Sequence, residues 1–184
     1  MTEGCGSGAD LVNLPYLQKR TFVLFFRAED NQTMLLDDGI NPRFVYLSPV
    51  HFDELDPMQM LHNGRFPAHI ERAVSGWYAA GGGRWERNTA DNPDQFHVVR
   101  DLHIEYLNPV IGPGTMRIDI WVERLGTTSC VYGFTCSSED GNTAYARGER
   151  TVVKIDPATH RPAPWTERFR ERLASLRKEL PAYA

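Results

Sequence analysis

The clearest hydrophobic pattern in the chain predicts one long helix. From Phe66 onward, apolar residues recur at spacings of three and four, which form a single stripe on a helix. Asn63 is a candidate cap at its start, and Pro67 falls in the first turn, where a missing N–H does little harm. The glycines at 81–83 mark its end. The pattern therefore predicts a helix over residues 64–80. Its stripe consists of Phe66, Ile70, Ala73, Val74, Trp77 and Tyr78.

Four segments with a period of two follow the helix and predict strands. Short turns rich in Gly, Asn, Ser and Thr separate them. Alternate residues from Met116 to Val122 are apolar, which indicates one buried face, and Val98, Leu102, Ile104 and Tyr106 share a face in the same way. In the last segment the small residues at 144, 146 and 148 would let a helix lie close to the sheet. The segments are His97–Leu107, Met116–Arg124, Ser129–Ser137 and Thr143–Ile155.

The two ends of the chain carry weaker patterns. Thr21–Arg27 predicts a short strand, and the mixture of Asp, Gly and Asn in residues 31–41 predicts a loop. Arg43–Phe52 is expected to be extended, with Pro49 restricting it to a sheet edge or a bend. Near the carboxyl end a second amphipathic helix is predicted. Its apolar positions are Trp165, Phe169, Leu173, Leu176 and Leu180.

These elements predict an α+β fold, in which an antiparallel sheet curls around the long helix. A chain of 184 residues with 41% hydrophobic content is suited to one core. We expect an amino-terminal extension over residues 1–43 and the main domain over 44–155. A linker and an amphipathic helix are expected over 156–184.

Charge and composition exclude several classes of protein. The 20 Lys and Arg residues are outnumbered by 24 Asp and Glu, which argues against nucleic acid as a partner. The longest notable apolar run, residues 21–26, is far shorter than the ~20 residues that span a bilayer, so a soluble protein is expected. Residues 1–13 contain no Lys or Arg before an apolar stretch, so they lack the basic start of a secretory signal and predict a cytoplasmic chain. Cys5, Cys130 and Cys136 are expected to be free thiols.

Several motifs that would carry a cofactor are incomplete. His69-Ile-Glu71 matches the first half of a zinc deaminase signature, but the Pro-Cys-x-x-Cys half is missing, so a surface turn of the helix is expected. His97 and His103 are interpreted as solvated rather than as ligands. There is no Walker loop, nucleophile elbow or dinucleotide fingerprint. No metal or organic cofactor is predicted.

The segment between the first core strand and the long helix holds three carboxylates, Asp53, Glu54 and Asp56. Here the chain resembles the hotdog-fold acyl-CoA thioesterases of the 4-hydroxybenzoyl-CoA thioesterase type. Glu54 and Asp56 match that family's acidic pair, His62-Asn63 its polar positions, and Phe66 its aromatic residue at the start of the helix. The resemblance covers about residues 44–155. It continues through 102–110, 112–120, the turn at 126–129 and the small residues at 144 and 146.

The resemblance implies a hotdog fold and places the catalytic carboxylate at Asp56. It places the carbonyl-polarising N–H at Asn63 or Gly64, with His62 beside them. Hydrolysis of a thioester needs a carboxylate and donors for the developing oxyanion, and the start of a helix offers free N–H groups. Other readings stay open. An Asp before Pro is an ordinary turn former, Asn63 could only cap the helix, and His62 could be solvated. Asp53 and Glu54 are interpreted as surface charges, with Glu54 as the fallback base.

The resemblance also suggests where a substrate binds. Coenzyme A phosphates would be held near Arg124 and the turn with Thr128 and Ser129, and Arg147 and Arg150 are further candidates. Phe66 and Tyr106 would line the acyl pocket.

The implied substrate is an acyl-CoA, and the implied assembly is a homodimer or homotetramer that completes its sites from two subunits. One alternative is a thioesterase acting on an acyl carrier protein in polyketide or fatty-acid metabolism. The other is a hotdog protein that binds acyl-CoA without turnover.

Overall fold

The structure is a computed structural model that describes residues 22–28, 31–37, 43–84, 86 and 90–177. Within these residues the chain forms seven strands and two α-helices, with short 3₁₀ turns at 52–54, 63–65 and 93–95. Cys5 and Leu180 lie outside the described residues. The elements are β1 (Phe22–Ala28), β2 (Asn31–Asp37), β3 (Arg43–Val50), α1 (Phe66–Ala80), β4 (His97–Tyr106), β5 (Gly114–Leu125), β6 (Ser129–Ser138), β7 (Ala144–Lys154) and α2 (Glu167–Ala174).

All seven strands join one antiparallel sheet in the order β1-β2-β3-β5-β6-β7-β4. The predicted strand near residue 21 and the four strands after the helix are confirmed. The loop predicted over residues 31–41 is wrong for 31–37, which form β2 between β1 and β3. The loop-forming residues Asp, Gly and Asn cluster after Asp37, so they follow the strand and do not interrupt it. The first two strands thus widen the sheet at β3.

Pro49 sits where the sheet tolerates it. The pairing of β2 with β3 covers Arg43 to Tyr46, so that Pro49 lies beyond it and has a strand neighbour, Thr115, on one side only. Proline cannot donate to a strand ladder, and this part of β3 needs no second donor. The prediction that Pro49 restricts this segment to a sheet edge therefore holds for the second half of β3. The first half is an inner strand between β2 and β5.

Helix α1 packs its predicted stripe against the sheet, which confirms the α+β hotdog architecture. All six residues of the stripe are buried. The opposing core includes Met116, Ile118, Ile120 and Val122, each fully buried. Gly76 allows the helix to approach the sheet closely, because a Cβ there would lie 2.9 Å from the ring of Tyr46. The small residue Gly148, expected to accommodate a helix, instead accommodates the ring of Phe134 and the backbone of β4.

Among the described strands, β4 lies at one edge of the sheet and pairs with β7 alone. The shared face predicted for it holds for Leu102, Ile104 and Tyr106 but is wrong for Val98, because a bulge between Val99 and Asp101 turns Val98 to the opposite face. Leu102 and Ile104 are half-buried, whereas Val98 and Tyr106 are 47% and 49% exposed. Tyr106 is exposed because α1 packs mainly on β3 and β5 and does not cover the whole of this outer strand.

The carboxyl-terminal segment packs against the carboxyl end of α1. Helix α2 is shorter than predicted, so Trp165 precedes it and Leu176 follows it, yet both are buried together with Phe169 and Leu173. Arg172 does not lie on a solvated face. Its guanidinium donates to the carbonyls of Trp77 and Tyr78 at 2.5 and 2.7 Å and stacks 4.6 Å from the Trp77 ring centre. It therefore satisfies carbonyl groups at the end of α1.

The two described cysteines are buried free thiols, as predicted. Cys130 and Cys136 lie on the face of β6 that packs toward the helix, and both are fully buried. Burial raises the pKa of each thiol to about 12, so that neither forms a thiolate near neutral pH. They serve as small apolar residues of the core.

Candidate active site

The predicted catalytic carboxylate lies in a small hairpin between β3 and α1. Leu55 pairs with Leu61 in an isolated bridge, and the Asp56 N–H donates to the carbonyl of Met60 at 2.7 Å. Gln59 has φ 62°, in the left-handed region that a tight turn requires. The hairpin is fixed to the rest of the fold through Met60, which forms a bridge with Ile111. Residues 55–61 therefore form an ordered support for Asp56.

One oxygen of Asp56 is used by the hairpin and the other is not. Oδ1 accepts hydrogen bonds from the backbone N–H groups of Met58 and Met60 at 2.8 and 3.1 Å. No hydrogen bond from the described residues reaches Oδ2. The residue is half-buried. The turn-forming role and a chemical role are thus compatible, because they use different oxygens of the same carboxylate.

A 3₁₀ turn, Asn63–Arg65, leads into α1 and differs from the prediction. Asn63 does not cap the helix. The residue before α1 is Arg65, whose side chain makes no capping hydrogen bond. His62 instead precedes the 3₁₀ turn, and its Nδ1 accepts a hydrogen bond from the Gly64 N–H at 3.1 Å. The Gly64 donor that the resemblance assigns to a substrate carbonyl is therefore held by the exposed His62 ring.

The two aromatic residues assigned to the acyl pocket do meet at this point. Phe66 and Tyr106 are in edge-to-face contact, with ring centres 5.2 Å apart. The Tyr106 hydroxyl donates to the Asn63 carbonyl at 3.1 Å, which joins β4 to the start of α1. Phe66 is buried, while about half of Tyr106 is accessible. Phe52, Met58 and Ile111 add further apolar surface, being 71%, 69% and 74% exposed.

A surface depression of about 410 Å³ lies between the hairpin and the start of α1. It includes two of the four predicted catalytic residues, His62 and Gly64, whereas Asp56 and Asn63 lie outside its lining. The lining residues are Asp53, Glu54, Leu55, His62, Gly64 and Arg65.

Glu54 was expected to be a surface charge, and this expectation is wrong. Glu54 is only 5% exposed, whereas Asp53 is exposed as predicted. The Glu54 carboxylate accepts a hydrogen bond from the His51 N–H at 2.9 Å and lies 3.4 Å from both Arg72 Nη1 and His69 Nε2. Burial by itself raises the pKa of Glu54, but the His51 hydrogen bond and the charges of His69 and Arg72 outweigh it, so that the pKa is lowered.

Two histidines expected at the surface are also buried or half-buried. His69 is fully buried, and its Nδ1 lies 2.7 Å from the Ser48 hydroxyl. His97 is half-buried, with its ring centre 6.0 Å from that of Trp165. Burial lowers the pKa of both rings below the ordinary 6.5. His103 is exposed, as predicted. Sequence reasoning missed His69 although its position lies on the apolar side of α1, between Phe66 and Ala73.

The residues assigned to coenzyme A are not close to the hairpin in one copy of the chain. Arg124 is exposed near the end of β5, whereas Gly114, at its start, pairs with Val50 directly before the hairpin segment. At ~3.3 Å per strand residue, these ends of β5 are roughly 30 Å apart. Thr128 and Ser129 lie in the turn that follows Arg124.

The carboxyl-terminal segment also packs on that turn. The carbonyl of Gly126 accepts a hydrogen bond from Arg170 at 2.9 Å, and the carbonyl of Thr127 accepts one from the N–H of Trp165 at 3.0 Å. The Thr128 carbonyl accepts from the Lys154 N–H at 2.8 Å. Thr128 and Ser129 are both half-buried.

The two further arginine candidates differ in accessibility. Arg147 is exposed and pairs with Glu105 at 2.6 Å. Arg150 is 4% exposed and pairs with Glu71 on α1, which removes it from any groove mouth. In the part of the chain that the structure describes, no three His, Cys, Asp or Glu side chains are placed to hold a metal ion. None of the described helices is long and apolar enough to cross a membrane.

Comparison with known proteins agrees with this architecture. Solved structures with the same fold include a 1,4-dihydroxy-2-naphthoyl-CoA thioesterase from Synechocystis, with 15% identity and a TM-score of 0.65 over 73% of this chain and 97% of the other. A DHNA-CoA thioesterase from Staphylococcus aureus has 20% identity and a TM-score of 0.60, covering 71% and 87%. A thioesterase from Thermus thermophilus, solved with coenzyme A and zinc, has 23% identity and a TM-score of 0.58, covering 72% and 92%. These likenesses define a hotdog fold.

Residues 58–145 match the thioesterase superfamily. No curated protein matches the chain. The fold is that of the hotdog thioesterases, and the match to the thioesterase superfamily over residues 58–145 supports a thioester hydrolase.

Proposed function

We propose that this protein hydrolyses an acyl-CoA thioester, with Asp56 as general base or nucleophile. The observation that carries the proposal is the state of the Asp56 carboxylate. Its Oδ1 is fixed by two backbone N–H groups, and its Oδ2 accepts no hydrogen bond from the described residues. A carboxylate held by one oxygen presents the other in a defined direction, as attack on a carbonyl or activation of water requires.

The start of α1 would supply the electrophilic half of the site. In the proposed complex the substrate carbonyl takes the place of His62 Nδ1 as the acceptor for the Gly64 N–H, with the Asn63 N–H beside it. In the free protein the Gly64 N–H therefore donates to His62, and on binding it would donate to the substrate carbonyl instead. Phe66 and Tyr106 would contact the acyl group, because they form the aromatic wall next to this turn.

A second copy of the chain would bring the coenzyme A residues to this site. Arg124, Thr128 and Ser129 lie roughly 30 Å from the hairpin within one copy, which leaves the adenine end of a substrate unbound there. Pairing of β4 with β4 of a second copy would place opposite ends of the two sheets side by side and would cover the exposed edge. We therefore propose a homodimer, or a homotetramer built from it, with shared sites.

The test is a screen of thioesters from acetyl to long-chain and aromatic, with thiol release as the readout. Asp56→Asn keeps the shape and polarity of the side chain and removes its charge, so turnover should fall by ~10² or more while acyl-CoA still binds. Asp53→Asn is the matched control, because that carboxylate lies three residues away and is exposed. A general electrostatic effect would alter both variants alike.

Three results would change the proposal. Near-parental turnover by Asp56→Asn would remove Asp56 from the chemistry. Faster hydrolysis of the same acyl group on a carrier protein than on coenzyme A would favour the carrier-protein alternative. No hydrolysis of any thioester by the parent protein, together with a melting temperature raised by acyl-CoA, would favour the non-catalytic binding protein.

A further inference from the structure

A buried polar cluster joins three elements next to the proposed site. Ser48 on β3 and His69 on α1 are fully buried, and Glu54, in the 3₁₀ turn before the hairpin, is 5% exposed. The Ser48 hydroxyl lies 2.7 Å from His69 Nδ1, and His69 Nε2 lies 3.4 Å from the Glu54 carboxylate. Arg72, one turn further along α1, reaches the same carboxylate from the solvent side at 3.4 Å.

The hydrogen-bond partners define the tautomer of His69. Arg72 Nη1 lies 3.3 Å from Nδ1, and a guanidinium can only donate, so Nδ1 is the acceptor. The Ser48 hydroxyl then donates to Nδ1 as well, and the ring proton is on Nε2, facing Glu54. Burial lowers the pKa of His69, with the Glu54 charge opposing this and the charges of Arg72, His51 and Arg65 adding to it. A neutral ring next to an ionised carboxylate is the consistent state at neutral pH.

The composition Ser, His and carboxylate matches a nucleophilic triad, but the arrangement is unsuited to that chemistry. The serine contacts Nδ1 and the carboxylate faces Nε2, which reverses the usual polarity of the ring. Ser48 is also fully buried beneath α1, where no thioester carbonyl can reach it. The cluster therefore acts on something other than the substrate.

What the cluster holds is the base of the hairpin that carries Asp56. The Glu54 carboxylate accepts from the His51 N–H on one side of the hairpin, and the Glu54 carbonyl accepts from the His62 N–H on the other at 3.0 Å. Asp56 follows two residues later. A shift of Glu54 would move Asp56 and the His62 turn together, while the contacts of Met60 and Leu61 with residues 110 and 111 keep the hairpin folded.

We infer that Glu54 and His69 are positioning residues of the thioesterase reaction. Their contact fixes the Asp56 hairpin to α1 and, through Ser48, to β3. The inference rests on the proposed function of Asp56. His69 Nε2 makes no hydrogen bond of good geometry within the described residues, although it is buried. Glu54 lies 3.4 Å from Nε2 without accepting a hydrogen bond from it, so the two residues are joined by close packing and by the charge of the carboxylate.

The test compares two replacements of His69 that are close in size. His69→Gln keeps an N–H that can reach Glu54, whereas His69→Leu removes it. We expect His69→Leu and Glu54→Gln to lower kcat by ten-fold to a hundred-fold with KM changed less than three-fold, since a misplaced group costs turnover more than binding. His69→Gln should recover most of the parental kcat. Glu139→Gln, in the exposed turn between β6 and β7, should leave kcat unchanged.

An effect on folding is distinguished from an effect on the position of Asp56 by measuring kcat at a temperature at least 15 °C below each variant's melting point. If His69→Leu and Glu54→Gln melt earlier but turn over at the parental rate, while Asp56→Asn is inactive, the cluster is only structural and the inference is wrong. Equal loss in His69→Gln and His69→Leu would also contradict it. If Asp56→Asn is fully active, the proposed function fails instead, whatever the cluster variants do.

Discussion

Replacing Trp77 by alanine tests how the central helix is held between its two partners. Trp77 lies on the buried stripe of α1 and is 5% exposed. The centre of its ring is 6.2 Å from the ring centre of Tyr132 on the sheet and 6.0 Å from that of Phe169 on α2. The guanidinium of Arg172 stacks on it at 4.6 Å. One side chain thus contacts the sheet, the second helix and a cation that binds the end of α1.

The expected loss follows from this burial. Truncation of a buried aromatic residue to alanine costs about 3–5 kcal/mol, from lost burial and from the cavity left behind. With an unfolding entropy of about 2.1 cal/mol/K per residue, this corresponds to a fall of about 8–13 °C in melting temperature for a chain of this length. If the neighbouring side chains collapse into the cavity, the fall in melting temperature should be near the lower value. If α2 also detaches from α1, the fall should be near the upper value.

A thermal melt followed by circular dichroism measures the shift. Trp121→Ala is the matched control, because that tryptophan is half-buried on the opposite face of the sheet and should cost less. A melting temperature of Trp77→Ala within 2 °C of the parent would refute the packing argument. It would mean that the stripe of α1 is not the principal contact between the helix and the sheet.

Two further predictions concern the edge strand β4 and the half-buried ring of His97. Because no described strand pairs with the outer side of β4, light scattering at micromolar concentration should give at least twice the mass of the chain, and monomer alone would contradict the shared site. Burial lowers the pKa of His97 below 6.5, so the unfolded chain binds the proton more readily and the free energy of unfolding should fall as pH decreases below about 6.5. Denaturant melts at pH 8 and pH 5.5 should show a smaller fall for His97→Gln, and an equal fall would contradict the assignment.

The helix and the strands after it could be predicted because their periodicities are strong. The stripe of α1 repeats over 13 residues from Phe66 to Tyr78, and four alternating segments follow in order. Strand β2 was missed because the sequence Asn-Gln-Thr-Met-Leu-Leu-Asp has apolar residues only in its second half. Its place in the sheet depends on pairing with β1 and β3, which a local pattern cannot express.

A local sequence pattern also cannot predict how much of a strand face is covered by other elements. In β4 and β5 the same alternation occurs, but alternate residues from Met116 to Val122 are fully buried, whereas Tyr106 is half exposed and Val98 is turned to the other face by a bulge. Alternation determines which residues share a face, whereas the layer above them depends on the strand order of the whole sheet. The distance of Arg124 from the hairpin could not be predicted either. The resemblance assigns Arg124 to substrate binding, but it does not say whether Arg124 and the hairpin of one site belong to the same copy of the chain.

The buried cluster explains why three carboxylates in one short segment can have different roles. Asp53, Glu54 and Asp56 look alike in the sequence, but the first is exposed to solvent, the second is enclosed by α1, and the third is held by its own hairpin. The sequence does contain a signal for the buried cluster. His69 falls on the apolar stripe, three residues after Phe66, and a polar residue at such a position needs a buried partner. The polar member of the stripe therefore predicts a buried polar partner beneath the helix, and the structure supplies Ser48 at 2.7 Å and the Glu54 carboxylate at 3.4 Å.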